Sequence, residues 1–171
     1  IISSMLILGI DPGTARMGWG VINKETMIAC GCLETRAGLT EEARLKTLFG
    51  QLSRLIKKFK PEAVAVEKLF FFKNQKTIIS VAQSRGIALL AAAQNNLPVF
   101  SYTPLQIKQA VTGYGRADKN QVQQMIKSIL KLKNIPKSDD AADALAVALN
   151  HAFSYKFKSK VKWSYDCQAY R

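Results

Sequence analysis

The sequence predicts an α/β fold: a five-stranded mixed sheet flanked by helices, with the first three strands antiparallel and the first, fourth and fifth parallel. Three observations predict it. Three strand-like runs open the chain, separated only by the turn-like stretches Pro12-Gly13-Thr14 and Asn23-Lys24-Glu25, and so short a connection joins antiparallel neighbours. An amphipathic helix then leads directly into a short β run, and a strand, helix and strand in that order pair in parallel through a right-handed crossover. A second helix followed by a strand repeats the pattern before the helices that end the chain.

In order, Leu6-Ile7-Leu8-Gly9-Ile10 ends in Asp11 and is a continuous apolar run of the buried strand type. Residues 17–23 alternate around Gly18-Trp19-Gly20 as a second strand, and residues 27–34 form the third. Leu45, Leu48, Phe49, Leu52, Leu55, Ile56 and Phe59 recur at helical spacing, with Arg44, Lys46, Arg54, Lys57 and Lys58 on other faces. Thr40 is the expected N-cap of that helix and Pro61 its stop. Residues 63–67 make the fourth strand. After the aromatic loop Phe70-Phe71-Phe72, a long helix is expected over residues 74–94. Its apolar residues cover more than one face, so it should be buried on two sides, one of them against a second copy of the chain. The fifth strand spans residues 98–102. A short helix over 104–111, a loop at Gly113-Tyr114-Gly115, a helix from Asp118, and a last helix from about Ser138 to Phe153 complete the order.

With 171 residues and a hydrophobic fraction of 48%, one well-filled core is expected. We read residues 5–155 as a single domain, residues 156–171 as a basic C-terminal tail, and residues 1–4 as a leftover of expression ahead of a natural start at Met5. No apolar run approaches the ~20 residues that cross a bilayer, and the start has none of the features of a secretion signal. A cytoplasmic protein with no membrane partner is expected. Cys30, Cys32 and Cys167 are an odd number without zinc spacing; Cys30 and Cys32 read as small core residues on one side of a strand. His151 reads as a helix-surface residue, not a ligand.

Charge narrows the function. The chain carries 25 basic and 12 acidic residues, a formal net charge of +13, which attracts a polyanion. Lys127, Lys131, Lys133, Lys137, Lys156, Lys158 and Lys160 crowd its last third. Against this background four acids stand at the ends or starts of apolar elements. Asp11 ends the first strand, Glu67 ends the fourth, and Asp140 and Asp143 open the apolar segment of the last helix. If the fourth strand lies beside the first, the crossover connection sets Asp11 and Glu67 together at the C-terminal edge of the sheet, where α/β proteins collect their ligands. Asp140 and Asp143, three residues apart, share one helical face. Carboxylates so placed are costly unless a positive group joins them, and a divalent cation held over a nucleic-acid phosphate is the obvious candidate. Asp11 before Pro-Gly also suits a turn and Asp140 a helix start. Glu67 after a β run has no such role.

These motifs, Ile-Asp-Pro-Gly-Thr, Val-Glu-Lys-Leu-Phe, Ser84-Arg85-Gly86, Val-Thr-Gly-Tyr-Gly-Arg-Ala-Asp-Lys-Asn-Gln-Val and Asp-Ala-Ala-Asp-Ala-Leu-Ala, stand in register over residues 5–153. Together they resemble the RuvC family of bacterial Holliday-junction resolvases, within the RNase H-like fold. The resemblance implies that Asp11, Glu67, Asp140 and Asp143 are catalytic acids that bind Mg²⁺, two ions per site with Mn²⁺ as a substitute. Asp139 lies on the same helical face as Asp143, but the family's Asp-x-x-Asp spacing selects Asp140. Lys108, Lys119 and Arg85 are implied to contact DNA, and Phe70 to stack at the branch point, with Phe71 and Phe72 as alternatives for that ring. The implied function is paired symmetric nicking of strands of like polarity in a four-way DNA junction, by a homodimer cooperating with RuvA and RuvB branch-migration proteins. The alternative is another RNase H-like nuclease acting on RNA or an RNA–DNA hybrid. Actin-like ATPases and sugar kinases share the Asp-x-Gly-Thr turn but need two lobes. A purely DNA-binding protein leaves the acids unexplained.

Overall fold

A computed structural model of the chain describes residues 5–69 and 78–160. Its elements are β1 (Leu6–Asp11), β2 (Arg16–Asn23), β3 (Thr26–Glu34), α1 (Glu41–Phe59), β4 (Ala63–Glu67), α2 (Ile78–Gln94), β5 (Val99–Tyr102), α3 (Pro104–Thr112), α4 (Lys119–Ile129) and α5 (Asp139–Lys160). The sheet has the order β3-β2-β1-β4-β5. β1–β2 and β2–β3 are antiparallel, while β4 runs parallel to both β1 and β5, as expected. Phe70, Phe71 and Phe72, residues 74–77 of the expected helix, residues 1–4 and residues 161–171 with Cys167 lie outside the described residues.

Alternation along the strands distributes side chains between two cores. Leu8, Ile10, Val64 and Val66 face α1 and α2. Ile7 and Ala65 face the other way, toward α3, α4 and α5. Counting on by two from Ile7 and Ala65 puts Asp11 and Glu67 on the α5 side. That parity alone decides which helix the two strand acids meet.

α5 is apolar nearly all round. Residues Ala141, Ala142 and Ala144 through Leu149 are buried, because the sheet covers one face and α3 and α4 the other. His151 is therefore 1% exposed, not on the surface as its isolated polarity suggests. Its Nδ1 lies 2.7 Å from the Tyr102 hydroxyl, and its ring lies 4.2 Å from that of Phe100. α5 also continues seven residues past the expected end at Phe153, to Lys160; no glycine or proline interrupts it. At α1, Thr40 is extended but its side chain makes no cap hydrogen bond. The helix stops at Lys60, in the left-handed region at φ 49°, one residue before Pro61.

Glycines let α5 lie directly on the sheet. A Cβ at Gly9 would collide with the Ala144 carbonyl, and one at Gly18 with the Asp140 carbonyl. Both obstacles are helix backbone, which yields only if α5 moves. Gly18→Ala is expected to cost about 1–3 kcal/mol as an overpacking change, a fall in melting temperature of roughly 2–12 °C. Differential scanning calorimetry checks this.

Candidate active site

Ile10 of β1 is paired with Val66 of β4, so the next residues, Asp11 and Glu67, stand side by side at the sheet edge. Gly18 seats the first turn of α5 against β2, which brings Asp140 and, one turn on, Asp143 over the same edge. Asp11 feels the charges of Glu67, Asp143 and Asp140. Burial first, and then these three carboxylates, push its pKa up to about 8, although Lys119 pulls the other way. Glu67 is raised to about 7, mainly by burial and by Asp143, while a hydrogen bond with Asp11 and the charge of Lys108 oppose the rise. Asp143 is also raised, by burial ahead of all else. In the metal-free site, burial and the neighbouring carboxylates thus favour the protonated form of Asp11, which is hydrogen-bonded to Glu67.

Two cations of the chain attend the helix acids. Arg16 Nε donates to Asp140 Oδ2 at 2.9 Å. Lys119 Nζ lies 3.4 Å from Asp143 and 3.1 Å from Asp139. α4 aims Lys119 there through a capping box: Asp118 accepts from the Gln121 backbone and the Gln121 side chain accepts from the Asp118 backbone. Burial works against the charge on Lys119, but Asp139 and Asp143 hold its pKa above the ordinary value. Lys108 donates its Nζ to the Ala117 carbonyl at 2.7 Å. Glu67, Lys108, Lys119 and Asp143 line one groove of about 220 Å³.

The structure thus gathers Asp11, Glu67, Asp140, Asp143, Lys108 and Lys119 at one place. Arg85 is elsewhere: half-buried, it turns inward and donates to Ser101 Oγ of β5 at 3.0 Å. Phe70 lies outside the described residues. Asp139 is exposed and held by Lys119, which also contacts Asp143, and by Gln123 Nε2 at 2.9 Å. Cys30 packs against the α5-side core as expected, whereas the Cys32 Sγ lies 3.8 Å from Asp140 Oδ2. Arg16 was not among the residues expected at the site. Its parity with Gly18 and Gly20, two strand positions apart on one face, was the signal available in the sequence.

The donor set suits a hard divalent cation. All four groups are carboxylates, which Mg²⁺-class ions prefer, and the raised pKa values of Asp11 and Glu67 reflect burial first and neighbouring carboxylates second, both of which such an ion offsets. Among the described residues no three acidic, histidine or cysteine groups close around a single point as a ready-made cage. Arg16 and Lys119 hold Asp140 and Asp143 in ion pairs.

A mixed sheet in this order, with acids at the tips of its first and fourth strands and on the helix crossing them, defines the RNase H-like class of fold. Within that class, the family model for crossover junction endodeoxyribonuclease RuvC matches residues 7–151. The crossover junction endodeoxyribonuclease RuvC of Pelotomaculum thermopropionicum is 52% identical over 162 residues, covering 92% of this chain and 99% of that relative. The Thermus thermophilus RuvC solved in complex with a Holliday junction substrate superimposes with a TM-score of 0.84 at 34% identity, covering 91% of this chain and 97% of that one. The yeast mitochondrial Holliday junction resolvase Ydc2, 16% identical with a TM-score of 0.60 over 90% of this chain and 85% of its own, shares the fold. The chain belongs to the RuvC family of crossover junction endodeoxyribonucleases.

Proposed function

We propose that this protein is a divalent-cation-dependent endodeoxyribonuclease that resolves four-way DNA junctions by paired symmetric nicks. The observation that carries the proposal is the convergence of Asp11, Glu67, Asp140 and Asp143 on one sheet edge beside two lysines, in a chain with a net charge of +13. Asp11, Glu67, Asp140 and Asp143 are the groups to hold Mg²⁺, two ions per site, with Mn²⁺ as a substitute. When bound, such ions supply Lewis-acid activation of water and relief of charge on the leaving oxygen.

The chain's own residues do the rest. Deprotonated Asp11 and Glu67 supply ligand charge at the buried end of the site. Asp140 and Asp143, more exposed, face the DNA side of it. Lys119, at the start of α4, is placed to meet phosphate charge and to stabilise charge that develops there. Lys108 offsets the charge of Glu67 from the other wall of the groove. Phe70, three residues beyond Glu67, is proposed to stack on an unpaired base at the branch point.

The working unit is a homodimer joined through α2. Ile79 and Leu90 are exposed at 69% and 48%, and Ala82, Gly86 and Ala93 are exposed on the same stripe. The opposite face, Ser84, Ala88, Ala91 and Ala92, is buried within the protomer. A two-fold dimer matches a two-fold substrate and makes paired cuts. RuvA and RuvB are the proposed branch-migration partners, and the cytoplasm the proposed location; no helix among the described residues is long and apolar enough to cross a membrane.

The test is an end-labelled four-way junction, a duplex and an RNA–DNA hybrid, each incubated with and without Mg²⁺. Cleavage of the junction alone, with Mg²⁺ alone, is the expected result; equal or better cutting of the hybrid would refute the substrate assignment. Junction binding should weaken with salt, log K falling by ~0.9 per phosphate contact against log salt. Lys108→Ala and Lys119→Ala are each expected to flatten that slope by about one contact, and slopes unchanged in both would move the DNA away from this groove.

A further inference from the structure

Asp140 Oδ2 is a crowded oxygen. Arg16 Nε lies 2.9 Å from it, Ser138 Oγ 3.4 Å and Cys32 Sγ 3.8 Å. The guanidinium is held from its other side as well, with Nη2 3.3 Å from Ser138 Oγ and 3.8 Å from Glu34. The fold sets this up. Arg16 and Glu34 are cross-strand partners in the β2–β3 register, and Gly18, two residues on and on the same face, brings the start of α5 down onto that strand pair. Arg16 is thereby a fixed positive charge on one of the proposed cation ligands. Lys119 likewise divides its contacts, between Asp143 and Asp139, and only Asp143 belongs to the proposed set.

We infer that Arg16 is a resident counter-ion that competes with a divalent cation for Asp140 and so sets how tightly the protein binds that cation. The inference rests on the cation site proposed above. A cation approaching Asp140 meets the guanidinium's charge, and one that takes Oδ2 must also displace its hydrogen bond. Arg16 is 51% exposed at its side chain, so solvent weakens the competition, and the effect is a matter of several-fold and not of orders of magnitude. A nucleic-acid phosphate that draws Arg16 off Asp140 frees the carboxylate. By linkage, cation and DNA then strengthen each other's binding through this one side chain.

The experiment is Mn²⁺ titration of the DNA-free protein, followed by electron paramagnetic resonance of the unbound ion. Arg16→Met is expected to tighten Mn²⁺ binding about three- to tenfold, while Arg16→Lys, which keeps the charge, stays much closer to the parent. Arg54→Met removes the same charge from the exposed face of α1 and controls for net charge; an equal gain in that variant overturns the inference. So does an Arg16→Met protein that binds Mn²⁺ no more tightly than the parent, or, where Arg16→Met does not fold, the same result with Arg16→Gln. Asp140→Asn separates the two levels of the argument. If the parent binds Mn²⁺ and Asp140→Asn weakens it, the cation site stands whatever Arg16 does. A parent that binds no Mn²⁺ overturns the site and the inference together.

Discussion

Asp11→Asn is expected to abolish junction cleavage, leave junction binding intact, and make the metal-free protein more stable at pH 8. Asparagine keeps the shape but removes the ligand charge at the most buried of the four acids. Transition-state stabilisation by the cations is worth several kcal/mol, so loss of their seat slows cleavage by about a thousandfold or more. Binding rests on lysines and not on this carboxylate, and should not follow. The stability effect has a definite sign. Asp11 has a pKa of about 8 in the fold against an ordinary 3.8, so between those values the folded state holds more proton than the unfolded one. Its stabilising contribution is complete below about pH 4 and is lost as pH rises through 8. Asparagine mimics the protonated acid at every pH and escapes that loss. Even a discounted share of the shift, about 2 kcal/mol, corresponds to a melting temperature roughly 4–8 °C above the parent at pH 8, with little difference near pH 4. A variant that melts lower at pH 8 and no longer binds junctions would make Asp11 a structural residue.

Gly86→Lys should give well-folded monomers that no longer make paired cuts. Among the described residues nothing lies within 4 Å of a Cβ placed at Gly86, so the new side chain meets no described neighbour there. Replacing a helix-interior glycine also favours the helix by about 0.5–1 kcal/mol. In a dimer sealed by the Ile79–Ala82–Gly86–Leu90 stripe, the same lysine is a buried unpaired charge costing about 3–5 kcal/mol, a hundredfold or greater weakening of association. Ala82→Glu attacks the stripe with the opposite sign and should do the same. Light scattering reads the outcome: dimers persisting in both variants would remove α2 from the interface. Monomers that still nick singly would locate the loss in pairing and not in chemistry.

The sequence by itself determined the strand directions, the crossovers and the meeting of Asp11 and Glu67 at one sheet edge. Those follow from patterns that repeat every two or 3.6 residues, and such patterns need no knowledge of what lies opposite. The tips of β1 and β4 could be named as neighbours because a strand–helix–strand unit has essentially one handedness. The tertiary structure decided which partner each charged group meets. Arg16 finds Asp140 across 124 positions of sequence, Lys119 bridges Asp143 to Asp139, and Arg85 turns away to Ser101. His151 is buried because Phe100 and Tyr102 of β5 pack against it, a property of the helix's neighbours and not of its own residues. The same holds for the pKa values of Asp11 and Glu67, since desolvation and the field of other acids exist only once distant segments have packed together. Periodicity is local and therefore legible; burial and electrostatic pairing are sums over atoms far apart in the chain, and only folding brings those atoms within range.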